Sequence, residues 1–372
     1  MRFIIISPQP WNHIAISKHH YAMELANRGH QVLFLNPPST LNVPFVVHPT
    51  EHPNIRSVEY RQPWFYRARF HWRGLYDVLM NRHIRNLVRQ TGFHPDVAWC
   101  FDFNLFSDLK AFGGIQSIFN PVDPLSAPHH ASLAKTADLV LTVSNTIAES
   151  IRPVRSDVRV IGHGLSAAFA SHAQQRLSRL DFSIGSPIQV GYAGNLMRKP
   201  LNRAVLKRIM ENHPSIEFHF WGPYNTDHVD TEAGAFIRFL QARENVRLHG
   251  SIPPQQLADE IQSMDAFLLV YGLDEAESDR SNSHKLLEYL STGKVVVSSR
   301  IGHYEGRSDL LQMPISGDDD NIPDLFREVI QQLDCHNEAQ ASRIRIEFAL
   351  QHTYANLVDQ IESWLTPIGP QG

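Results

Sequence analysis

Cysteine is scarce in this sequence: 372 residues hold two, Cys100 and Cys335. Two cannot staple a chain of this size, and neither has the paired spacing of a zinc site. The expectation that follows is a reducing compartment, the cytoplasm. Long apolar runs are lacking as well. No window approaches ~18 apolar residues, so no segment is expected to cross a membrane. The opening Met1-Arg2-Phe3-Ile4-Ile5-Ile6-Ser7-Pro8 is too short an apolar stretch for a signal peptide. Charge of one sign is missing too: 34 Lys plus Arg face 38 Asp plus Glu, a formal −4. A chain whose whole surface bound nucleic acid would be basic, so no nucleic-acid partner is expected. No G-x-G-x-x-G follows either of the two strands that open an α/β series, which removes the turn a nicotinamide cofactor needs. Thr292-Gly293-Lys294-Val295 lacks the flanking residues of a phosphate-binding P-loop. Asp318-Asp319-Asp320 formally contains a D-x-D metal clamp, but its Gly- and Asp-rich context reads as a solvated turn, so neither a metal site nor a cofactor is expected.

What is present is the composition of a folded globular protein, with 42% hydrophobic residues and a length that calls for two domains. Short apolar runs alternate with amphipathic stretches. Phe3–Ile6, Val32–Leu35, Val97–Phe101, Ser117–Phe119, Leu139–Val143 and Val158–Ile161 read as strands of a first series. Residues 165–187 lose the pattern and end in Gly185-Ser186-Pro187, which suits a linker. A second series follows with strands over 188–192, 216–220, 246–249, 266–270 and 295–299. Tyr354, Leu357, Val358, Ile361 and Leu365 then form an apolar stripe at helical spacing. The fold class expected is α/β, two doubly wound domains of parallel sheet covered by helices, facing each other across a cleft.

The most informative stretch runs from Ser281 to Lys294 into the strand at Val295. Ser281 or Ser283 is placed to cap a helix whose inner face is Leu286, Leu287 and Leu290, and Gly293 to end it. A helix start after a strand, with Lys285 in its first turn, suits a diphosphate. Glu288 lies five residues past Ser283, roughly 7.5 Å along the axis, a separation that suits ribose hydroxyls. The alternative is an ordinary amphipathic helix with a solvated Lys and Glu.

Lys285-Leu286-Leu287-Glu288-Tyr289-Leu290-Ser291-Thr292-Gly293-Lys294-Val295-Val296-Val297-Ser298 resembles the "K-L-x-E-Y-L-A-x-G-K-P-V-V-S" segment of group 1 glycosyltransferases with the GT-B fold. Val190 to Asn195 is similar to the strand that opens the donor domain of that family. Val246 to Ile252 with Leu257 and Met264-Asp265-Ala266 is similar to a later passage, and Val158 to Gly164 stands where the family has "V-x-V-I-P-N-G". The resemblance implies two Rossmann-like domains: an acceptor-binding domain over 1–168, a linker over 169–187, a nucleotide-sugar domain over 188–348, and a closing helix and tail over 349–372 that cross back to the first domain. Two departures stand out. Arg280 occupies the position of the first acid of the family's Glu-x7-Glu, and Pro8-Gln9-Pro10-Trp11-Asn12-His13 replaces its glycine-rich first turn.

For the site, the resemblance implies a nucleotide-diphosphate sugar as the donor substrate. Arg198, Lys199, Ser283 and Lys285 would meet the diphosphate, neutralising the departing nucleotide without a metal. Glu288 would take the ribose, and Tyr224, in Trp221-Gly222-Pro223-Tyr224, would lie at the base. A general base is expected from a strand end of the first domain, Asp123 before Asp102; both also suit turns, and His13 and His163 are further polar candidates. Residues 51–92 carry eight arginines against three acids, interleaved with Trp64, Phe65, Tyr66, Phe70, Trp72 and Tyr76. That mixture suits an anionic membrane surface, through residues 60–90, or a groove for a phosphate-bearing lipid acceptor. It equally suits a helix packing aromatics inward and displaying Arg outward. The function expected is metal-independent sugar transfer in cell-envelope or exopolysaccharide synthesis, at the cytoplasmic face of the plasma membrane. A sugar-nucleotide epimerase of the same fold and a non-catalytic sugar-nucleotide or lipid-binding module are the alternatives.

Overall fold

In the computed structural model, which describes residues 1–13, 15–114, 116–125, 131–180, 183–225, 231–272, 282–315 and 319–366, the chain forms two α/β units. Unit 1 is Met1–Gly162 with Tyr354–Gly372, and unit 2 is His163–Thr353.

Unit 1 is built on eight strands: β1 (Arg2–Ile6), β2 (Gln31–Leu35), β3 (Val46–Pro49), β4 (Ile55–Glu59), β5 (Val97–Cys100), β6 (Gln116–Phe119), β7 (Leu139–Thr142) and β8 (Val158–Val160). Their order is β3-β4-β2-β1-β5-β6-β7-β8, parallel except for the β3–β4 edge pair. The unbroken apolar run of β1 follows from burial on both faces. Ile4 and Ile6 enter one core layer, Phe3 and Ile5 the other. The helix Tyr354–Trp364 closes the second layer with Tyr354, Leu357, Val358 and Ile361. It is held to the helix Ser17–Asn27 and the residues after it by Arg28, which donates to Asp359 (2.6 Å), Glu362 (2.9 Å) and the Ala355 carbonyl (2.7 Å).

Unit 2 carries β9 (Gln189–Ala193), β10 (Glu217–Trp221), β11 (Val246–Gly250), β12 (Ala266–Leu269) and β13 (Val295–Ser298), all parallel, in the order β11-β10-β9-β12-β13. Both units are therefore doubly wound. The stretch expected as a linker over 169–187 begins instead within the helix Ala167–Leu177. Its Ala, Ser and Gln content obscures an inward face of Phe169, Ala170 and Ala173, which packs into the core of unit 2. Among the described residues no helix is long and apolar enough to cross a membrane.

Candidate functional site

In unit 2 the chain winds from β9 out to β11, then returns to the other side of β9 for β12 and β13. The loops after β9 and β12 therefore diverge at a switch point, where open α/β sheets bind ligands beyond the carboxyl ends of their strands. The two segments are stitched together. Asn202 N–H donates to the Val270 carbonyl (3.0 Å), Gly272 N–H to the Pro200 carbonyl (2.7 Å), and Leu201 bridges Tyr271. Buried Arg203 reaches back under the loop and donates to the carbonyls of Arg198 (2.7 Å) and Leu196 (3.3 Å). The backbone carrying Arg198 and Lys199 is thus fixed, while both side chains are exposed.

Lys285 sits one residue into the helix His284–Leu290 and is buried. Its Nζ donates to the Tyr271 hydroxyl (3.0 Å) and lies 5.4 Å from the ring centres of both Tyr192 and Tyr271. Burial works against the ammonium, but Tyr192, Tyr271 and Tyr289 more than offset it, so the pKa rises above the ordinary lysine value and the charge persists. Tyr289 is held in turn by Ala193, whose N–H it accepts (2.7 Å) and whose carbonyl it donates to (3.2 Å). The lysine tip comes up beneath Gly194: a Cβ there would lie 2.5 Å from Nζ. An ammonium has three donors, of which Tyr271 takes one and Tyr192 a second, so one is left for a ligand.

Glu288 lies one turn beyond Lys285 and is half-buried. Burial, opposed by the Lys285 charge, pushes its carboxyl up to about 7. Ser283 occupies the N-cap position and is buried, but its side chain makes no capping hydrogen bond, contrary to the capping role expected; Ser281 and Arg280 lie outside the described residues. Tyr224 packs half-buried against the core of unit 2. Its neighbour Trp221 is a packing residue: the indole N–H donates to Glu260 (2.6 Å) and the ring stacks on His249 at 4.7 Å. His163 is pushed down to about 4 by burial and bonds the Asn282 backbone beside the start of the Lys285 helix.

In unit 1, Asp102 follows β5 and is buried, and it accepts from the N–H groups of Asn104 (2.8 Å) and Leu105 (3.3 Å). Burial outweighs these bonds and raises its pKa. Asp123 stands exposed after β6. No motif pointed to what lies between the two, Lys18 in the first turn of the helix after β1. It is buried, and desolvation lowers its pKa to about 8 against the pull of Asp123 and Asp102. His13 is exposed. Beside this cluster a pocket of ≈ 350 Å³ is lined by the loops after β1, β2 and β5 and by residues 66–73, Tyr66, Arg69, Arg73 and Asp102 among them. The arginines of residues 51–92 therefore divide. Arg69 and Arg73 are half-buried at the pocket, while Arg67, Arg82, Arg85 and Arg89 are exposed, as are Trp64 (88% exposed), Phe70 (67%) and Trp72 (68%). The inward-packed face is Tyr76, Met80, Ile84, Leu87 and Val88, so most of the aromatics preceding the helix Arg73–Thr91 do not join it.

Asp319 is buried and starts a single 3-10 turn, and Asp320 pairs with Arg208 at 3.1 Å; Asp318 lies outside the described residues. Among the described residues no group of three or more His, Cys, Asp or Glu is placed to hold a metal ion.

Residues 198–363 match a family described as "Glycosyl transferase-like". No curated protein matches the sequence. Similar solved structures span essentially the whole chain at low identity. An alpha,alpha-trehalose-phosphate synthase (UDP-forming) from Burkholderia vietnamiensis has a TM-score of 0.63 at 13% identity, covering 98% of this chain and 100% of that one. Anabaena HepE in complex with UDP and glucose has 0.65 at 15%, covering 98% and 99%. A sucrose-phosphate synthase from Thermosynechococcus elongatus has 0.65 at 13%, covering 97% and 98%. The likeness establishes the fold, two Rossmann-like domains of the GT-B class.

Proposed function

We propose that this chain is a glycosyltransferase that moves a sugar from a nucleotide-diphosphate sugar to an acceptor hydroxyl without a metal ion. The observation that carries the reading is the switch point of unit 2. There a permanently charged lysine rises beneath the loop that displays Arg198 and Lys199, with a carboxylate one turn further on. Three cations around one crevice match a diphosphate. They are worth most as the nucleotide leaves and negative charge builds on it. In this reading Lys285, Arg198, Lys199 and Ser283 face the diphosphate, Glu288 accepts from the ribose hydroxyls, and Tyr224 meets the base. The match over residues 198–363 to a glycosyl-transferase-like family and the complex of HepE with UDP and glucose support it. Asp123 or Asp102 takes the acceptor proton. A raised pKa makes Asp102 the stronger base of an ordinary pair, and exposure makes Asp123 the more accessible.

Titration of the full chain with UDP, GDP and other nucleoside diphosphates tests the donor site. A ligand that binds the native state raises the melting temperature with concentration. Because Glu288 must be ionised to accept from ribose and titrates at about 7 in the free protein, its ionised fraction rises about tenfold from pH 6 to pH 8. The preferred nucleotide should tighten by that factor in the wild type and not in Glu288→Gln. A flat response to every nucleotide at both pH values would end the donor-site assignment.

The acceptor is taken to be a lipid-linked glycan of cell-envelope or exported-polysaccharide synthesis, reached at the cytoplasmic face of the plasma membrane. Exposed Trp64, Phe70 and Trp72 among exposed arginines support peripheral attachment there. Each Arg near an anionic surface contributes ~1 kcal/mol, screened by salt. The chain should float with anionic vesicles at low salt, less at high salt, and little with neutral vesicles. Arg67→Glu/Arg82→Glu/Arg85→Glu should abolish flotation and spare nucleotide binding. A wild type that never floats refutes attachment.

A further inference from the structure

We infer that the pocket of unit 1 beside Asp102 is a binding site for a phosphate ester, held by the guanidinium groups of Arg69 and Arg73; as the acceptor subsite it rests on the transferase reading. The inference starts from donors that the protein itself leaves unmet. Arg69 spends one terminal nitrogen on the Tyr66 hydroxyl (2.6 Å), and its Nε is buried with no hydrogen-bond partner. Arg73 gives Nε to Asp77 (3.0 Å) and Nη1 to the Asn104 carbonyl (3.3 Å), while its Nη2 is buried and unpartnered. The Tyr76 hydroxyl nearby is likewise buried and unpartnered, with the Arg73 guanidinium 5.1 Å from its ring. Leaving one buried donor unmet is costly, and three in one place are rare in native proteins. The two guanidinium groups, which line the pocket, would be relieved by one group that brings several acceptor oxygens and negative charge.

A phosphate ester has that chemistry. Its oxygens are acceptors, and guanidinium forks match them better than any other side chain. The two arginines are also made rigid. Arg69 lies against the rings of Tyr66 (4.1 Å) and Phe70 (4.5 Å), and Arg73 is tied at two of its three nitrogens, so little side-chain entropy remains to be lost on binding. Among the lining residues two arginines face one acid, Asp102, and Asp77 pairs with Arg73 from outside the lining. The remaining wall is Pro8, Pro37, Pro38 and Leu105, a stiff apolar surface against which a sugar face or the first carbons of a lipid can lie. At ≈ 350 Å³ the pocket is small among ligand sites, which run ~300–1,000 Å³, and suits one phosphorylated sugar or headgroup rather than an oligosaccharide. Asp102 lines the same space, which places a carboxylate next to whatever the phosphate anchors.

The phosphate can come from a soluble sugar phosphate or from a polyprenyl-type lipid, and the experiment separates them. The full chain is titrated calorimetrically with a hexose 1-phosphate, with farnesyl phosphate, and with farnesol as the uncharged control. At least one phosphate probe should bind and farnesol should not. Binding only the hexose phosphate assigns a soluble acceptor, and binding only farnesyl phosphate a lipid-linked one. Arg69→Gln should weaken the bound probe by about tenfold or more, the loss expected of a charge-assisted hydrogen bond. Arg152→Gln, exposed in unit 1 and outside the pocket, should change nothing. If Arg69→Gln does not fold by circular dichroism, Arg69→Lys keeps the charge without the fork and should still weaken binding. Failure of both phosphate probes to bind, equal losses in the Arg69 and Arg152 variants, or farnesol binding as tightly as its phosphate would overturn the site. Nucleoside diphosphate binding is measured on the same samples. If that fails while phosphate binding still depends on Arg69, the transferase reading falls and the pocket stands.

Discussion

Gly222→Ala should lower the melting temperature of unit 2 by ~6–12 °C and abolish nucleotide binding at ordinary concentrations. Gly222 follows β10 with φ at +131°, a region that residues with a side chain rarely adopt. A Cβ there would also lie 2.1 Å from the Gly194 carbonyl oxygen and 2.6 Å from its carbon. Those atoms are backbone, so no rotamer change relieves the clash. The loops cannot slide apart cheaply either, because Gly194 N–H donates to the Trp221 carbonyl and Gly222 N–H to the Gly250 carbonyl, both at 2.7 Å. Strained backbone alone costs ~1–3 kcal/mol, and displacing Gly194 raises the total to ~3 kcal/mol. For a unit of about 190 residues, each kcal/mol is ~2–4 °C. Gly194 sits directly over Lys285, so the shift that accommodates a methyl group at 222 also displaces the loop over the candidate diphosphate site. A melt within 2 °C of wild type, with nucleotide affinity intact, would show that the two loops are not coupled.

Lys285→Met should weaken nucleoside diphosphate binding about a hundredfold while the protein stays folded. Methionine fills the same slender tunnel between Tyr192 and Tyr271 and removes only the charge and its donors. One hydrogen bond between charged partners, at up to ~3 kcal/mol, accounts for a factor of that size. Because the lysine pKa is raised, the loss should be the same at pH 6 and pH 8, unlike the loss from Glu288→Gln, which appears as pH rises. The free protein responds in the opposite sense. With a folded pKa above its unfolded value, the Glu288 carboxyl favours the native state at low pH and loses that contribution as pH climbs through about 7, so Glu288→Gln should melt higher than wild type at pH 8. Unchanged affinity in Lys285→Met would remove the lysine from the site.

The parallel strands of both units could be read from the sequence because they are buried on two faces and appear as unbroken runs of Val, Ile, Leu and Phe. β3 and β4 could not. Val46-Val47-His48-Pro49 ends in a proline, and Ile55-Arg56-Ser57-Val58-Glu59 mixes polar and apolar residues without a clean period. The helix Ala167–Leu177 was hidden by small residues, whose packing depends on what lies opposite rather than on their own hydrophobicity. The candidate donor-side residues fall in or near a motif and so could be named. Their supports could not, because Tyr192 and Tyr271 are separated in sequence and meet around Lys285 only once β9 and β12 pair. The unit 1 pocket was legible as an excess of Arg and aromatics over residues 51–92. Which arginines turn inward depends on the turn at Tyr66–Phe70, and arginine composition carries no such information.

Unit 1 is assembled from two ends of the chain, with the whole of unit 2 between them. During synthesis the second core layer of its sheet, with Phe3 and Trp99, is covered only in part, by the helix Ser17–Asn27, until the Tyr354–Trp364 helix has been made. At ~5–20 residues per second, the intervening 190 or so residues take about 10–40 s. The nascent protein therefore carries a half-finished sheet with a partly open apolar face for that time, while unit 2 acquires all of its own residues first. Expression at lower translation rates, or removal of the last helix, lengthens that exposure, and the chain's demand for a chaperone should rise in step.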